Sequence, residues 1–259
     1  MSLKILKKPL IVAVVGKGGS GKSVIATLIA KVVINNYNYK LLLIDGDPTY
    51  PHFSKMMSIT PKVSLETVRS NLIHDITSGN KSSKDAAEFI DFYVYNSLIE
   101  TKQFNLFYIG QPEASGCFCP SNTIMKKAIE SISRDFEIVL IDCEAGLEQI
   151  NRMVIQTVDI IIIVTDGSQR SLNTAITIRK MAQKFTDYKR IGLIINRFKG
   201  DLENIMNKVR NLDFLVYTII PEDEIISNYD SEGEPMINIP QDAESYIEIK
   251  KSLYKILSL

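Results

Sequence analysis

The sequence predicts an α/β fold in which a doubly wound, mainly parallel sheet is flanked by helices. Two observations predict this fold. Short apolar runs alternate with longer amphipathic stretches along most of the chain, and the apolar runs are continuous and rich in Ile, Val and Leu. Continuous runs are typical of parallel strands that are covered on both faces. Their alternation with helical patterns is typical of doubly wound sheets.

Strands and helices are predicted in the following order. The strands are Leu10–Val15, Lys40–Ile44, Phe104–Ile109, Ile138–Ile141, Ile160–Val164, Gly192–Ile195 and Phe214–Ile219. The helices are Lys22–Asn35, Leu65–Thr77, Asn122–Ser133, Gly146–Thr157, Ser171–Phe185, Leu202–Asn211 and Ala243–Leu257. Right-handed crossovers bring the loops that follow parallel strands to one edge of the sheet. We expect the functional groups at that edge.

Length and composition limit the classes of protein that fit. The chain has 259 residues and no linker, so we expect one domain over residues 1–259. Its 30 basic and 30 acidic side chains leave no basic excess, which argues against a nucleic-acid partner. No apolar stretch approaches the ~18–20 residues of a membrane span, and the run Pro9–Val15 is too short for a secretory signal. We therefore expect a cytoplasmic protein without a membrane role.

The segment after the first strand has the pattern of a phosphate-binding loop. It reads Gly16-Lys17-Gly18-Gly19-Ser20-Gly21-Lys22-Ser23 and is followed by Val24 in a predicted helix. The glycines allow backbone N–H groups to approach phosphate oxygens, and the helix start adds a positive dipole end. Lys22 is expected to reach the β- and γ-phosphates, and the Ser23 hydroxyl to bind Mg²⁺. The pattern predicts that residues 16–24 bind ATP with Mg²⁺.

The additional lysine at position 17 indicates a particular class of loop. The loop resembles that of the deviant Walker A ATPases, which reads K-G-G-x-G-K followed by S or T. These include MinD-type and ParA-type positioning ATPases, arsenite-pump ATPases, the nitrogenase iron protein and the CooC-type nickel-insertion ATPases. The resemblance implies that Lys17 reaches the nucleotide of a second subunit, in the role of an arginine finger. It therefore implies an ATP-dependent homodimer.

Carboxylates follow two other predicted strands. Asp45-Gly46-Asp47-Pro48 comes directly after Lys40–Ile44, and Asp142 ends the run Ile138–Ile141. The first segment resembles the switch I of the same ATPases, and Asp142 fits a Walker B aspartate. The resemblance implies that Asp47 orients the attacking water, with Lys17 as the other catalytic group, and that Asp45 and Asp142 support Mg²⁺.

Two short motifs resemble the adenine side of the superfamily. Asn196 and Arg197 follow one late strand, and Pro221-Glu222-Asp223 follows the next. An Asn side chain can pair with the adenine edge because it has both a donor and an acceptor. The resemblance implies that Asn196, Arg197, Pro221 and Asp223 contribute to the ATP site.

Cys117 and Cys119 form a Cys-x-Cys pair that distinguishes the subfamilies. Two thiolates from one turn do not complete a tetrahedral metal site, but two copies of the pair on a dimer axis would. The segment resembles the CooC-type ATPases, which also carry the E-A-G run that is present here as Glu144-Ala145-Gly146. The resemblance implies Ni²⁺ or Zn²⁺ at Cys117 and Cys119 and a nickel enzyme, such as carbon monoxide dehydrogenase or acetyl-CoA synthase, as the client.

Other interpretations stay open at this point. Cys117 also matches a cluster ligand of the nitrogenase iron protein, and Cys143 lies near the expected place of the second ligand, so a 4Fe–4S reductase component is an alternative. The cysteines could equally be reduced thiols without a ligand. A positioning ATPase of the MinD or ParA type is the third hypothesis, because the amphipathic segment Tyr246–Leu257 could contact a membrane. Packing of that segment on the sheet is the favoured interpretation.

Overall fold

In the part of the chain that the computed structural model describes, residues 9–79, 92–111, 127, 129–143 and 157–258, the central feature is an eight-stranded sheet. The strands are β1 (Leu10–Gly16), β2 (Leu41–Asp45), β3 (Ile99–Glu100), β4 (Asn105–Tyr108), β5 (Ile138–Asp142), β6 (Thr157–Thr165), β7 (Asp187–Phe198) and β8 (Leu215–Pro221). Their order in the sheet is β3-β4-β2-β5-β1-β6-β7-β8. The short edge strand β3 is antiparallel to β4, and the other paired strands are parallel.

Helices connect these strands. They are α1 (Lys22–Asn36), α2 (His52–Met56), α3 (Leu65–Thr77), α4 (Gln169–Phe185), α5 (Leu202–Asn211), α6 (Glu224–Glu232) and α7 (Glu244–Leu257). Residues 92–96 and 129–133 are also helical. Four of the helices begin at a side chain that accepts a hydrogen bond from a backbone N–H of the first turn, namely Ser64, Ser168, Asp201 and Asp223. Such capping satisfies N–H groups that have no partner within the helix.

Two hydrophobic clusters cover the two faces of the sheet. In β1, Ile11 and Val15 belong to the cluster that includes residues of α3, α4 and α5, whereas Val12 and Val14 belong to the cluster that includes residues of α1 and α7. Alternate residues of a strand point to opposite faces, so a continuous apolar run supplies both clusters. This is why the apolar runs of the sequence predicted strands that are buried on both sides.

The predicted strands are all present, and the doubly wound, mainly parallel fold is confirmed. The predicted helices over Leu65–Thr77 and Leu202–Asn211 have the predicted bounds, and that over Ala243–Leu257 begins one residue later. Of the predicted helix over Asn122–Ser133, residues 127 and 129–133 are described and are helical.

Thr157 is predicted in the wrong kind of element. The helix predicted over Gly146–Thr157 lies outside the described residues except for Thr157, and Thr157 is the first residue of β6. It pairs with Asp187 of β7 in the parallel ladder. Tertiary pairing with a neighbouring strand therefore determines the conformation of this residue, which a local helical pattern could not indicate. Among the described residues, no helix is both long enough and apolar enough to cross a membrane.

Candidate functional site

The carboxyl ends of three adjacent strands form the centre of the site. Strand β5 lies between β1 and β2, and Asp142 at its end is in register with Val14 of β1 and with Asp45 of β2. The loop that follows β1 therefore starts beside Asp142, with Asp45 one strand further along the sheet. Ligands of open α/β sheets bind at this edge, near the point where the strand order reverses.

The loop after β1 requires glycine at specific positions. Gly19 and Gly21 have positive φ angles of 75° and 89°, and Gly16 has a φ of 151°. A Cβ on Gly16 would collide with the carbonyl oxygen of Val164 in the neighbouring strand β6. Gly18 has no neighbouring atom within 4 Å of a Cβ position, so its backbone is open to solvent. The loop thus packs its first glycine against the sheet and exposes Gly18 and Gly19.

Lys22 and Ser23 are the first two residues of α1, where the helix dipole favours an anion. The ammonium group of Lys22 donates a hydrogen bond of 3.3 Å to the carbonyl oxygen of Lys17. The N–H of Ser20 donates to the same carbonyl at 3.2 Å and closes the turn. Val24, which the sequence also placed in the site, is partly buried and packs against the core cluster of α1.

Asp142 and Asp45 are buried carboxyl groups beside this helix start. Asp142 is 3% exposed and Asp45 is 0% exposed. Burial raises the pKa of Asp142 to about 7, although the Ser23 hydroxyl donates a hydrogen bond to this carboxylate and opposes the shift. Burial also raises the pKa of Asp45 to about 6, against hydrogen bonds from the backbone and hydroxyl of Ser54 at 2.8 and 2.6 Å.

These groups fit a Mg²⁺ ion. The Oδ1 atom of Asp142 is buried and has no hydrogen-bond partner, which is costly unless a ligand or water occupies the space beside it. Together with Ser23 and Asp45 it offers only oxygen donors, which Mg²⁺ prefers, and Mg²⁺ commonly binds one or two carboxylates together with substrate phosphates. Within the described ranges, no three His, Cys, Asp or Glu side chains come together as a metal-binding group, at this site or elsewhere, so a Mg²⁺ ion here would depend on phosphate oxygens as well.

Asp47 is held in the loop that follows β2. Its Oδ1 atom accepts hydrogen bonds from the backbone N–H and the hydroxyl of Thr49, at 2.9 and 2.6 Å, and from the N–H of Tyr50 at 3.3 Å. Asp47 is half-buried at the same edge of the sheet as Asp45. The local turn therefore holds the carboxylate near the site through its Oδ1 atom.

Lys17 lies beside a carboxylate of its own chain. Burial acts to raise the pKa of Asp166, but hydrogen bonds with Ser168 and the charge of Lys17 hold it below its usual value. Asp166 follows the end of β6, the strand that packs against Gly16. The sequence did not indicate Asp166 as a neighbour of Lys17, because the two are brought together by the pairing of β1 with β6.

Asn196 and Arg197, at the end of β7, contact the loop itself. The side-chain amide of Asn196 donates to the carbonyl oxygen of Ser20 at 3.0 Å, and the Arg197 guanidinium donates to the carbonyl oxygen of Gly19. Asn196 is 3% exposed. The structure therefore brings both predicted residues to the site and gives them partners in the phosphate-binding loop.

Pro221 ends β8, and Asp223 follows it as the cap of α6. One carboxylate oxygen of Asp223 accepts from the N–H of Ile225 at 2.9 Å. The other accepts from the N–H and hydroxyl of Ser245 at 2.9 and 2.7 Å. Asp223 thus holds together the starts of α6 and α7, and its carboxylate is occupied by these bonds. Its contact with adenine stays a prediction.

Cys117 and Cys119, with the run Glu144–Gly146, lie outside the described residues. The third cysteine, Cys143, is 2% exposed and belongs to a hydrophobic core cluster. Burial, followed by the charge of Asp142, raises its pKa strongly, so its thiol stays protonated. Cys143 is therefore in the environment of a packing residue rather than of a thiolate ligand.

Residues 109–111, which precede Cys117 in the chain, are hydrogen-bonded to the segment that follows β2. The N–H of Ile109 donates to the carbonyl oxygen of Asp45 at 3.0 Å, and the side chain of Gln111 donates to the carbonyl oxygen of Thr49 at 3.5 Å. A Cβ on Gly110, which has a φ of 81°, would collide with Ser64 at the cap of α3. Residues 109–111 thus lie between the switch I segment and α3.

Two supporting residues of the site were not predicted. Ser54, which binds the Asp45 carboxylate, lies in the five-residue helix α2, and no sequence pattern distinguishes so short a helix. Thr49 carries a recognisable signal, because an aspartate followed two residues later by a hydrogen-bonding side chain is typical of an Asx turn.

Comparison with known proteins gives the family. The model of the CobQ/CobB/MinD/ParA nucleotide-binding domain matches residues 11–236. An uncharacterized ATP-binding protein of Methanocaldococcus jannaschii is 31% identical over 252 residues, which cover 96% of this chain and 99% of that protein. The carbon monoxide dehydrogenase accessory protein CooC of Rhodospirillum rubrum is 28% identical over 237 residues, which cover 86% of this chain and 87% of CooC.

Solved structures have the same fold. The cell-division ATPase MinD of Pyrococcus furiosus has a TM-score of 0.64 at 19% identity, covering 95% of this chain and 98% of that one. MinD of Pyrococcus horikoshii, solved in complex with Mg-ADP, has a TM-score of 0.64 at 20% identity. The match covers 96% of this chain and 95% of that MinD chain. The predicted relation to the deviant Walker A ATPases is confirmed at the level of the family. The chain belongs to the CobQ/CobB/MinD/ParA family of nucleotide-binding domains.

Proposed function

We propose that this protein is a Mg²⁺-dependent ATPase that acts as a homodimer in the cytoplasm. The observation that carries the proposal is the Asp142 carboxylate, which is bonded to Ser23 at the start of α1 and keeps a buried oxygen without a partner. A carboxylate in this position, beside a helix start with glycines before it, is suited to a magnesium–phosphate complex.

Each residue has a distinct part in the proposed reaction. Lys22 exchanges its bond to the Lys17 carbonyl for the β- and γ-phosphates. Ser23, Asp45 and Asp142 hold Mg²⁺, which when bound would neutralise charge on the phosphates. Asp47 orients the attacking water and takes part in no covalent step. Most of the catalytic effect in phosphoryl transfer comes from such positioning and charge stabilisation.

Lys17 completes the site from the second subunit in this proposal. In a single copy its ammonium group interacts with Asp166, so it has a partner before the dimer forms. On ATP binding Lys17 would leave Asp166 and reach the γ-phosphate of the opposite subunit, where it stabilises the transition state. The exchange of one anionic partner for another keeps the cost of moving the lysine low.

The ATPase proposal is tested with two lysine variants. We expect Lys22→Ala to abolish Mg-ATP binding in calorimetry, because the β- and γ-phosphates lose their cation. We expect Lys17→Ala to bind Mg-ATP within a few-fold of the wild type but to lose phosphate release by 10³-fold or more, on the order of an arginine-finger loss. Hydrolysis at the wild-type rate by monomeric Lys17→Ala protein would contradict the proposal.

We further propose that Cys117 and Cys119 of two copies bind one Ni²⁺ or Zn²⁺ ion at the dimer axis, and that the protein assists nickel insertion into an enzyme such as carbon monoxide dehydrogenase. The similarity to CooC over 86% of the chain supports this assignment. The contacts of residues 109–111 with Asp45 and Thr49 support a route by which the nucleotide state reaches the cysteine segment.

Two observations disfavour the alternative functions. Cys143, the candidate second ligand of a 4Fe–4S cluster, is buried in the core with its pKa raised, whereas a cluster requires thiolates. The amphipathic segment that could contact a membrane is α7, and its apolar residues Tyr246, Ile249 and Leu253 are fully buried in the core cluster. A membrane role for α7 would require its detachment from the sheet.

The metal proposal is tested by metal content and client activation. We expect one nickel or zinc ion per two chains in the presence of ATP, lost in the Cys117→Ser/Cys119→Ser double variant and kept in the control Cys143→Ala. A colourless, anaerobically purified protein with full metal content would exclude the cluster. Nickel-loaded protein with ATP should restore carbon monoxide oxidation to nickel-free dehydrogenase. A double variant that keeps its metal would overturn the assignment.

A further inference from the structure

The end of β7 directs two consecutive side chains to the same loop. Asn196 donates to the carbonyl oxygen of Ser20 at 3.0 Å, and Arg197 donates to the carbonyl oxygen of Gly19. In a regular strand, successive side chains point to opposite faces of the sheet. A regular end of β7 could therefore bring only one of these two side chains to the loop.

A local irregularity makes the double contact possible. The pairing of β7 with β8 shifts in register between Ile195 and Phe198. Within this interval Arg197 has a φ of 52°, in the left-handed region that a residue with a Cβ rarely adopts. Such strained backbone is unfavourable and is concentrated at functional sites. The strain is what turns Arg197 toward the loop that Asn196 already contacts.

The two bonds fix the direction of two peptide groups. A trans peptide is planar, so the carbonyl of one residue and the N–H of the next point in opposite directions. Because the carbonyls of Gly19 and Ser20 point toward β7, the N–H groups of Ser20 and Gly21 point away from β7. The Ser20 N–H accordingly donates to the Lys17 carbonyl within the turn, and peptide planarity directs the Gly21 N–H away from β7.

Close packing reinforces this arrangement. Gly21 has a φ of 89°, and a Cβ at this position would collide with the Asn196 amide nitrogen. Asn196 is 3% exposed, so its side chain is confined by its surroundings. The Asn196 amide and the Ser20–Gly21 peptide therefore hold one another in a single orientation before any nucleotide binds.

We propose that Asn196 and Arg197 are positioning residues for the polyphosphate, which act by holding the Gly19 and Ser20 carbonyls toward β7, so that the Gly21 N–H is kept on the opposite side of the loop, where it can donate to an anion. The inference rests on the proposed ATP binding and adds that these residues contribute to binding whatever base the nucleotide carries. Pre-organised N–H groups bind an anion more tightly because no reorientation is needed on binding.

Tripolyphosphate separates this role from recognition of adenine. We would measure by calorimetry, with Mg²⁺ present, the affinities of ATP, GTP and inorganic tripolyphosphate for the wild type and for Asn196→Ala. We expect the variant to weaken all three by a similar factor, on the order of tenfold for a buried carbonyl left unpaired. Because Asn196 is neutral, the loss cannot come from long-range charge. The ratio of ATP to GTP affinity should stay unchanged.

Variants of Arg197, which is exposed, provide a second test in case Asn196→Ala does not fold. Arg197→Gly relieves the positive φ while removing the donor, and we expect weaker tripolyphosphate binding, with partial recovery in Arg197→Lys, which keeps a donor and the charge. The matched control is Lys199→Ala, a nearby exposed cation that pairs with Glu222 instead of the loop. It should leave all three affinities unchanged.

The outcomes distinguish the inference from the function on which it rests. A wild type that binds neither ATP nor tripolyphosphate overturns both. A wild type that binds both, with Asn196 and Arg197 variants that lose ATP alone, overturns only the positioning role and assigns these residues to the base. Equal losses for ATP, GTP and tripolyphosphate support the positioning role.

Discussion

Asp45 and Asp142 are paired residues at the ends of the neighbouring strands β2 and β5. The magnesium–phosphate complex is proposed to lie between these two aspartates and the start of α1. Burial raises both pKa values. The charges of Asp45 and Asp47 raise the pKa of Asp142 further, and the charge of Asp47 raises that of Asp45. The ligand-free protein therefore holds two carboxyl groups that ionise less readily than in the unfolded chain. A cation at this place would relieve both effects, because it favours the ionised forms.

The first prediction concerns the pH dependence of stability. The pKa values are about 6 for Asp45 and about 7 for Asp142, above the value of 3.8 for a free side chain. The folded state binds protons more tightly than the unfolded state, so the stabilising contribution is full below about pH 4 and is lost as pH rises through about 6 to 7. In urea unfolding, the ligand-free protein should lose stability over this window, and Asp142→Asn should lose less. Stability that rises with pH there would contradict this.

The second prediction compares two glycines of the same loop. Gly16 combines a φ of 151° with a Cβ direction blocked by the Val164 carbonyl, whereas a Cβ on Gly18 meets nothing within 4 Å. We expect Gly16→Ala to lower the free energy of unfolding of the ligand-free protein by about 2–4 kcal/mol. Gly18→Ala should stay within about 0.5 kcal/mol of the wild type. Equal effects in thermal or urea unfolding would show that the Gly16 backbone is not constrained by β6.

At the residue scale, local spacing predicted what lies close in sequence. Lys22 and Ser23 could be placed because a strand, a glycine-rich turn and a helix start are consecutive in the chain. The effect of the Lys17 charge on the pKa of Asp166, and the hydrogen bond from Asn196 to Ser20, join residues that only the sheet order brings together. No single-sequence pattern encodes such pairs, so the sequence could predict that Asn196 belongs to the site but not which atoms it contacts.

At the scale of whole elements, length decided what could be predicted. The runs that became β1, β5 and β6 are continuous and apolar, and four or more apolar residues in succession are enough to predict a strand that is buried on both faces. The helix α2 and the strand β3 have five and two residues, too few for a periodic signal. Because α2 supplies Ser54 to the Asp45 carboxylate, part of the site was hidden in an element that the sequence could not predict.

The third prediction concerns α7 and its place in the core. Leu253 is fully buried and its neighbour Tyr254 is 54% exposed. We expect Leu253→Ala to lower the free energy of unfolding by about 2–5 kcal/mol, from lost burial and the cavity that remains. Tyr254→Ala should change it by no more than about 0.5 kcal/mol. If both variants were equally mild, α7 would not be firmly packed, and the membrane hypothesis for this helix would return.

At the scale of the whole molecule, the arrangement of the sheet places the nucleotide groups and the approach to the cysteine segment at one edge. Asp45, Asp47 and Asp142 stand there with the loop after β1, and Ile109 is bonded to the end of β2. A second copy that docks on this edge would meet the nucleotide and the residues before Cys117 together. This geometry is the physical reason to expect that nucleotide binding and metal binding depend on one another in a dimer.

The fourth prediction tests whether Lys17 acts across the dimer. Lys17→Ala and Asp47→Asn should each be inactive in phosphate release. In a mixed dimer, the site of the Lys17→Ala subunit keeps its own Asp47 and receives an intact Lys17 from its partner. An equal mixture should therefore recover about a quarter of the wild-type rate if subunits exchange at random. If Lys17 acts within its own chain, every site of the mixed dimer lacks one group and no activity returns. A chain with both substitutions provides the control: added to wild type, it should reduce phosphate release beyond simple dilution only if the lysine is supplied across the interface.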